Sequence, residues 1–281
     1  MTKGLHLEIR DKSAWEDRSK AWASTMSKGL SQDDTLNQIL ISEAGIKPGQ
    51  KILDIASGSG NPAVSAAVLM NGEGTITLTD LSEGMLKNAR DRADTLNIKN
   101  MRYCTADMNR LPFPNDEFDL ASCRFGIMFP ENKIKAALEA KRVLKPGGKI
   151  VYMVWDEYDK NPPFFVPRRA VANFFKEDEP PIPPRHSMSQ PGTLQLLLED
   201  SGFERILEKE VGYDNEIYDL DAYITNGLKR SHAEKIADLS VSQFLKLKES
   251  LYDAWAPYTK DGITFVPNRA RIVVGFKPLL P

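Results

Sequence analysis

Cysteine is scarce in this chain: two in 281 residues, Cys104 and Cys123. Two are too few for a disulfide framework, and both lie in apolar runs that read as buried strand ends. A cross-linked extracellular scaffold is therefore excluded, and a cytoplasmic setting with reduced thiols is expected. Long apolar runs are missing too. No stretch approaches the roughly 18 residues of a spanning helix, and Met1–Arg10 lacks the apolar segment of about 7–15 residues that a secretory signal needs, so neither a membrane span nor export is expected. Charge of one sign is not in excess, with 37 basic against 39 acidic residues and a net charge of −2. Without a clustered Lys/Arg surface, nucleic acid is not an expected partner. Three histidines and no Cys/His spacing suited to zinc give no reason to expect a metal. Internal repeats, Ser/Gly linkers and sharp composition shifts are also absent, which predicts one domain over 1–281.

What is there begins with Trp15, Trp22 and Met26, at offsets of seven and four, on one face of an amino-terminal helix. From Lys51 short β-rich runs alternate with helical ones, the pattern of a parallel α/β sheet with helices on both faces. Strands are predicted near 51–55, 75–79, 101–104, 118–123 and 148–155, with helices near 62–70, 83–97, 132–144 and 193–201. Lys145-Pro146-Gly147-Gly148 stops a helix, because proline cannot continue it and glycine permits the turn. Residues 157–191, dense in Pro and Phe, read as a stiff loop with one short helix. A helical insertion is predicted over 217–260, with Phe244, Leu247, Leu251, Ala254 and Trp255 as an apolar stripe, before a final strand near 270–277. The pattern thus divides the chain into an amino-terminal helical part (1–50), an alternating core (51–156) and a carboxyl-terminal part (157–281).

The chemistry concentrates at Ile52-Leu53-Asp54-Ile55-Ala56-Ser57-Gly58-Ser59-Gly60-Asn61-Pro62, a buried strand turning through glycines into a helix. Gly58 and Gly60 allow close backbone approach to a ligand, Asn61 can cap the helix, and Pro62 suits its first turn. Asp54 either caps the turn or touches the ligand. Asp80, at the end of the second strand, suits two ribose hydroxyls. Gly58-x-Gly60-x-x-Ala63 also satisfies a dinucleotide fingerprint, so an NAD(P) oxidoreductase is a rival reading. Asp107 after the third strand, and Arg142 to Gly148 before the fifth, separate the two.

Together these segments, with Thr79-Asp80-Leu81-Ser82 and Met85, Thr105-Ala106-Asp107, Leu111-Pro112-Phe113-Pro114 and Phe118-Asp119-Leu120, resemble the class I S-adenosylmethionine-dependent methyltransferases. The branch is similar to the ubiquinone/menaquinone-biosynthesis C-methyltransferases (methyltransferase type 11), over about residues 40–156. The resemblance implies a Rossmann-like, seven-stranded, mostly parallel sheet with a helical insertion between strands six and seven. It implies that Ala56, Ser57 and Gly58 surround the methionine part of S-adenosylmethionine, with Gly60 in the same cofactor-binding turn. Asp80 would hold the ribose, Leu81 and Met85 would pack on the adenine, and Asp107 would bind its amino group beside Met108. Backbone at Cys123 and Arg124 would meet the methionine amino group; 1–50 would be a helical lid whose Trp22 closes the site, 51–156 the cofactor-binding core and 157–281 the substrate-side part. Arg124-Phe125-Gly126-Ile127-Met128-Phe129 stands where the quinone enzymes carry Gly-x-Arg-Asn. That departure widens the acceptor class to small specialised metabolites as well as quinols.

The expected reaction is methyl transfer to O, N or C of a small-molecule acceptor, leaving S-adenosylhomocysteine, by a monomer or homodimer. Because the sulfonium is itself electrophilic, alignment does most of the work and no catalytic constellation is required. His186, in Pro184-Arg185-His186-Ser187, is the candidate general base, against the simpler reading of a surface loop histidine. Two further readings of the same motifs are a non-catalytic cofactor binder and a protein that uses the bound sulfonium electrostatically.

Overall fold

The computed structural model describes residues 15–17, 19 and 34–279. Strands β1 (Lys51–Ile55), β2 (Thr75–Asp80), β3 (Met101–Thr105), β4 (Phe118–Arg124), β5 (Leu144–Trp155), β6 (Glu204–Ile217) and β8 (Ile263–Phe276) form one sheet in the order β3-β2-β1-β4-β5-β8-β6. The two-residue β7 (Thr259–Lys260) pairs with β8 as the eighth strand. Neighbours from β3 to β5 are parallel, as alternating strands and crossover helices require, and β8 is antiparallel to β5. Ile55 lies opposite Thr79, and Asp80 opposite Thr105, so the carboxyl ends of β1, β2 and β3 come level. The strand order reverses between β1 and β4, and open sheets of this type bind ligands in the crevice at that reversal.

Helices α1 (Thr35–Ala44), α2 (Ala63–Leu69), α3 (Glu83–Thr95) and α4 (Lys133–Val143) belong to this part of the chain, as does α6 (Thr193–Asp200). Between Phe118 and Leu120 the register slips, and β5 already begins at Leu144. Lys145 to Gly148 is thus an irregularity within the strand, with Gly147 at φ +74°. β6 carries no apolar signal because its exposed residues alternate with half-buried ones. Of the amino-terminal helix, Trp15–Asp17 and Ser19 are helical, whereas Trp22 and Met26 lie outside the described residues. No helix among the described residues is long and apolar enough to cross a membrane.

By compactness the residues form two units, 1–155 with 187–211 and 270–281, and 156–186 with 212–269. Residues 157–281, expected as one substrate-side part of a single domain, are shared between them. The first unit packs Leu53, Ala121, Ile150 and Val273 of the sheet with Ala137, Ala140, Leu194 and Leu198 of its helices. The second contains α5 (Pro162–Phe175), α7 (Leu220–Ser231), α8 (Ala233–Ile236) and α9 (Val241–Trp255). Its core is Phe165, Val166, Leu247, Leu251 and Trp255, with Phe244 and Ala254 against it, so the predicted stripe is packing surface. α9 starts in a capping box made by Ser240 and Gln243. The expected loop over 157–191 is corrected: it holds the 14-residue α5. Pro162 and Pro163 sit in its first turn, where their missing N–H groups cost nothing, and only Pro167 interrupts the ladder.

Candidate active site

The turn after β1 runs through three residues at positive φ, Ala56 (52°), Gly58 (53°) and Gly60 (93°). Only glycine adopts this region without cost, so the glycines make the turn possible. Their roles differ. A Cβ on Gly58 would meet nothing within 4 Å, leaving open space beside the backbone. One on Gly60 would lie 2.9 Å from Val64 and 3.2 Å from Ala89, so packing against α2 and α3 requires glycine there. Asn61 is not the helix cap: Pro62 occupies that place, and the Asn61 Oδ1 accepts from Arg92 at 3.1 Å. Arg92 also donates to the Ser59 carbonyl at 2.6 Å. This buried arginine of α3 props the turn from behind, with its pKa lowered by burial.

Asp80 closes the turn from the side. Its Oδ2 accepts the Gly58 N–H at 2.9 Å and its Oδ1 the Ser82 N–H at 3.0 Å, which fixes the carboxylate at the end of β2. Burial raises its pKa, partly offset by those amides. Leu81 follows, half-buried, and Met85 is buried in the first turn of α3. Ser82 caps that helix by accepting the Met85 N–H at 3.1 Å.

At the end of β4, Ser122 donates to Oδ1 of Asp54 at 2.7 Å. Asp54 is 1% exposed, and its Oδ2 is buried without a hydrogen-bond partner among the described residues, as is Oγ of Ser57. Burial pushes the Asp54 pKa up to about 7, against the pull of Ser122 and Arg124. Two unsatisfied oxygens beside an open glycine backbone are the features a polar ligand group would complete. Cys123 is fully buried and burial pushes its thiol up to about 12. Gly126 lets Ala56, Cys123 and Met108 converge, since a Cβ there would lie 2.5 Å from the Ala56 Cβ and 2.6 Å from the Cys123 Sγ. Phe125, at φ 58°, stacks on Trp155 with centroids 4.2 Å apart. Nη2 of Arg124 donates to both carboxylate oxygens of Asp34, at 2.8 and 2.7 Å, and Asp34 is the N-cap of α1.

The structure thus brings Asp54, Ala56, Ser57, Gly58, Asp80, Met108, Cys123 and Arg124 to the carboxyl end of the sheet. Asp107 is different. It is exposed, and its Oδ1 accepts the Asn109 N–H at 2.8 Å, the behaviour of a turn aspartate. His186 lies in the second unit, 6% exposed, edge-on to Tyr158 and Phe164 with centroids 5.2 Å away. A surface loop residue it is not. Its Nδ1 is 3.2 Å from the Asp156 carbonyl, which assigns the proton to Nδ1 and leaves Nε2 bare, without a partner among the described residues. Burial pushes its pKa down to about 4, so the ring is neutral at pH 7 and a weak base. Sequence reading missed Glu16, Asp34, Gly84, Arg92, Ser122 and Gly126. Of these only Gly126, beside the strand end, carried a local signal.

Comparison with known proteins matches residues 24–176 to the ubiE/COQ5 methyltransferase family. The chain is similar to the ubiquinone/menaquinone biosynthesis C-methyltransferase UbiE of Cupriavidus necator, with 40% identity over 124 residues, 43% of this chain and 51% of that protein. It thus spans about half the length of that relative. Against UbiE of Shewanella pealeana the identity is 30% over 178 residues, 59% of this chain and 71% of that one. Among solved structures, the [4+2]-cyclase SpnF aligns with a TM-score of 0.56, 21% identity and coverage of 88% and 82%. A Haemonchus contortus phosphoethanolamine N-methyltransferase, in complex with phosphomonomethylethanolamine and S-adenosylhomocysteine, aligns at 0.54, with 18% identity and coverage of 87% and 53%. At such identities the likeness is one of fold.

Proposed function

We propose, for a chain that belongs to the ubiE/COQ5 methyltransferase family, that it binds S-adenosylmethionine and transfers its methyl group to a small-molecule acceptor. The observation that carries this is the unsatisfied Asp54 Oδ2 beside the open backbone of Gly58, with Asp80 fixed alongside. When bound, the cofactor would supply a sulfonium-activated methyl carbon, electrophilic towards a nucleophilic O, N or C atom, with a neutral thioether as its leaving group.

The chain's own residues bind and orient. Asp80 would accept the ribose hydroxyls, and Asp54 and Ser57 would take the polar methionine end. Leu81, Met85 and Met108 would cover the adenine, with Asp107 beside it, and backbone at Ala56, Cys123 and Arg124 would wall the methyl side. Holding two reactants in line and excluding water lowers a barrier by about 7–11 kcal/mol in favourable cases. His186, neutral with a bare Nε2, fits a hydrogen-bond acceptor for a hydroxyl better than a proton acceptor, because a pKa near 4 makes it a poor base at pH 7. The chain would act as one methyltransferase domain, monomeric or homodimeric, in the cytoplasm.

The test is transfer from methyl-labelled cofactor to a panel of phenols, quinols and amines, with bulk RNA and protein in parallel. Label in the small-molecule fraction is expected. Label in RNA or protein overturns the acceptor class, binding without transfer to any acceptor points to a non-catalytic binder, and binding of NADH instead restores the dinucleotide reading.

A further inference from the structure

The first four N–H groups of a helix have no partner within it. In α3 the Ser82 N–H is taken by Oδ1 of Asp80 at 3.0 Å and the Met85 N–H by Oγ of Ser82 at 3.1 Å. The Gly84 N–H is taken from outside the helix, by Oε1 of Glu16 at 3.0 Å, and Oε2 of Glu16 accepts the Ser82 hydroxyl at 2.7 Å. A carboxylate 66 residues upstream of Ser82 thus completes the cap, where the helix dipole also favours negative charge.

Three further observations fix the same contact. Asn88 donates to the Ser19 carbonyl at 3.1 Å. A Cβ on Gly84 would fall 2.3 Å from the Ser19 Oγ and 2.7 Å from the Glu16 Oε1, so this docking needs glycine there. Trp15, next to Glu16, packs edge-on against Phe129 with centroids 5.1 Å apart. Glu16 therefore holds the turn that follows β2, and Trp15 the turn that follows β4. Those strands flank β1 on opposite sides, so Trp15 and Glu16, neighbours in the chain, touch the turns on either side of β1 at its carboxyl end.

We propose that Glu16 is a positioning residue: by capping α3 it clasps Trp15–Asp17 and Ser19 across the crevice and retains the cofactor there, with Gly84 as the seat that admits the clasp. The inference rests on the cofactor-binding reading above and adds to it a residue that sets how long the cofactor stays. Removing the carboxylate and obstructing its seat are independent perturbations with the same consequence. Gly84→Ala is informative because alanine favours the helix itself, so faster release cannot come from a weakened α3.

Two measurements test it. Hydrogen exchange of the Gly84 amide in the free protein reads the clasp without any cofactor: protection in the wild type, at least tenfold less in Glu16→Ala and part of it kept in Glu16→Gln, is expected. Dissociation of S-adenosylhomocysteine, followed by competition in a stopped-flow instrument, is expected to be at least tenfold faster in Glu16→Ala and in Gly84→Ala. A Gly84 amide that exchanges equally fast in wild type and Glu16→Ala overturns the clasp. Unchanged release in both variants overturns its role in retention. A wild type that protects Gly84 yet binds no S-adenosylhomocysteine refutes the cofactor reading, and with it the retention of that cofactor, while leaving the cap itself established.

Discussion

Replacing Asp54 by Asn should change how stability depends on pH, in a direction that follows from its burial. In the folded protein the carboxyl is 1% exposed and titrates near 7, against an ordinary value of 3.8. The folded state therefore holds a proton that the unfolded chain releases between those values. Stability from this group is fully present below pH 3.8 and is lost as pH rises towards 7. At about 1.4 kcal/mol per pH unit, the displacement amounts to roughly 4 kcal/mol lost by pH 8. Asparagine keeps the shape and the acceptor for Ser122 but never ionises. Urea unfolding of both proteins at intervals from pH 4 to pH 8 should give stabilities whose difference shifts steadily in favour of Asp54→Asn as pH rises. The burial argument would be refuted by two curves that run parallel over that range.

Gly126→Ala forces a methyl group to within 2.6 Å of both Ala56 and Cys123, and should destabilise by about 1–3 kcal/mol, read as a lowered urea midpoint. Asp34→Ala removes the α1 cap to the Asn37 N–H and the ion pair with Arg124, for an expected loss of about 2 kcal/mol; Asp34→Asn, which keeps the cap, should lose less. Cys123, buried and with its thiol pushed up to about 12, should resist a thiol reagent at pH 8 until the protein is unfolded, and labelling followed by peptide mapping checks it.

Much of the central sheet was legible because a parallel sheet buried on both faces writes short apolar runs between helical ones. Lys51–Ile55 and Thr75–Asp80 are such runs, and Asp80 could be placed at a strand end from spacing alone. β6 was not legible residue by residue, since on this edge strand exposed residues alternate with half-buried ones and leave no apolar run. α5 was hidden by its prolines, whose meaning depends on whether they fall in the first turn or the interior. At the site, the glycine turn was visible as local spacing, but its two glycines could not be told apart. Gly60 is defined by Ala89, far along the chain, and Gly58 by empty space. Glu16, Asp34 and Arg92 act through partners 31–90 residues away, and no periodicity in one sequence encodes such pairs. For His186, burial by Tyr158 and Phe164 reversed the simple expectation for a histidine in a proline-rich loop.

The central claim is a cofactor site built on Asp80 and the Gly58 turn. Calorimetric titration with S-adenosylhomocysteine tests it most directly, on wild type and Asp80→Ala, each freed of any cofactor that copurifies. One-to-one binding by the wild type and a loss of at least tenfold in affinity in Asp80→Ala is the predicted result. No heat of binding in the wild type, or equal affinity in the two proteins, would contradict it.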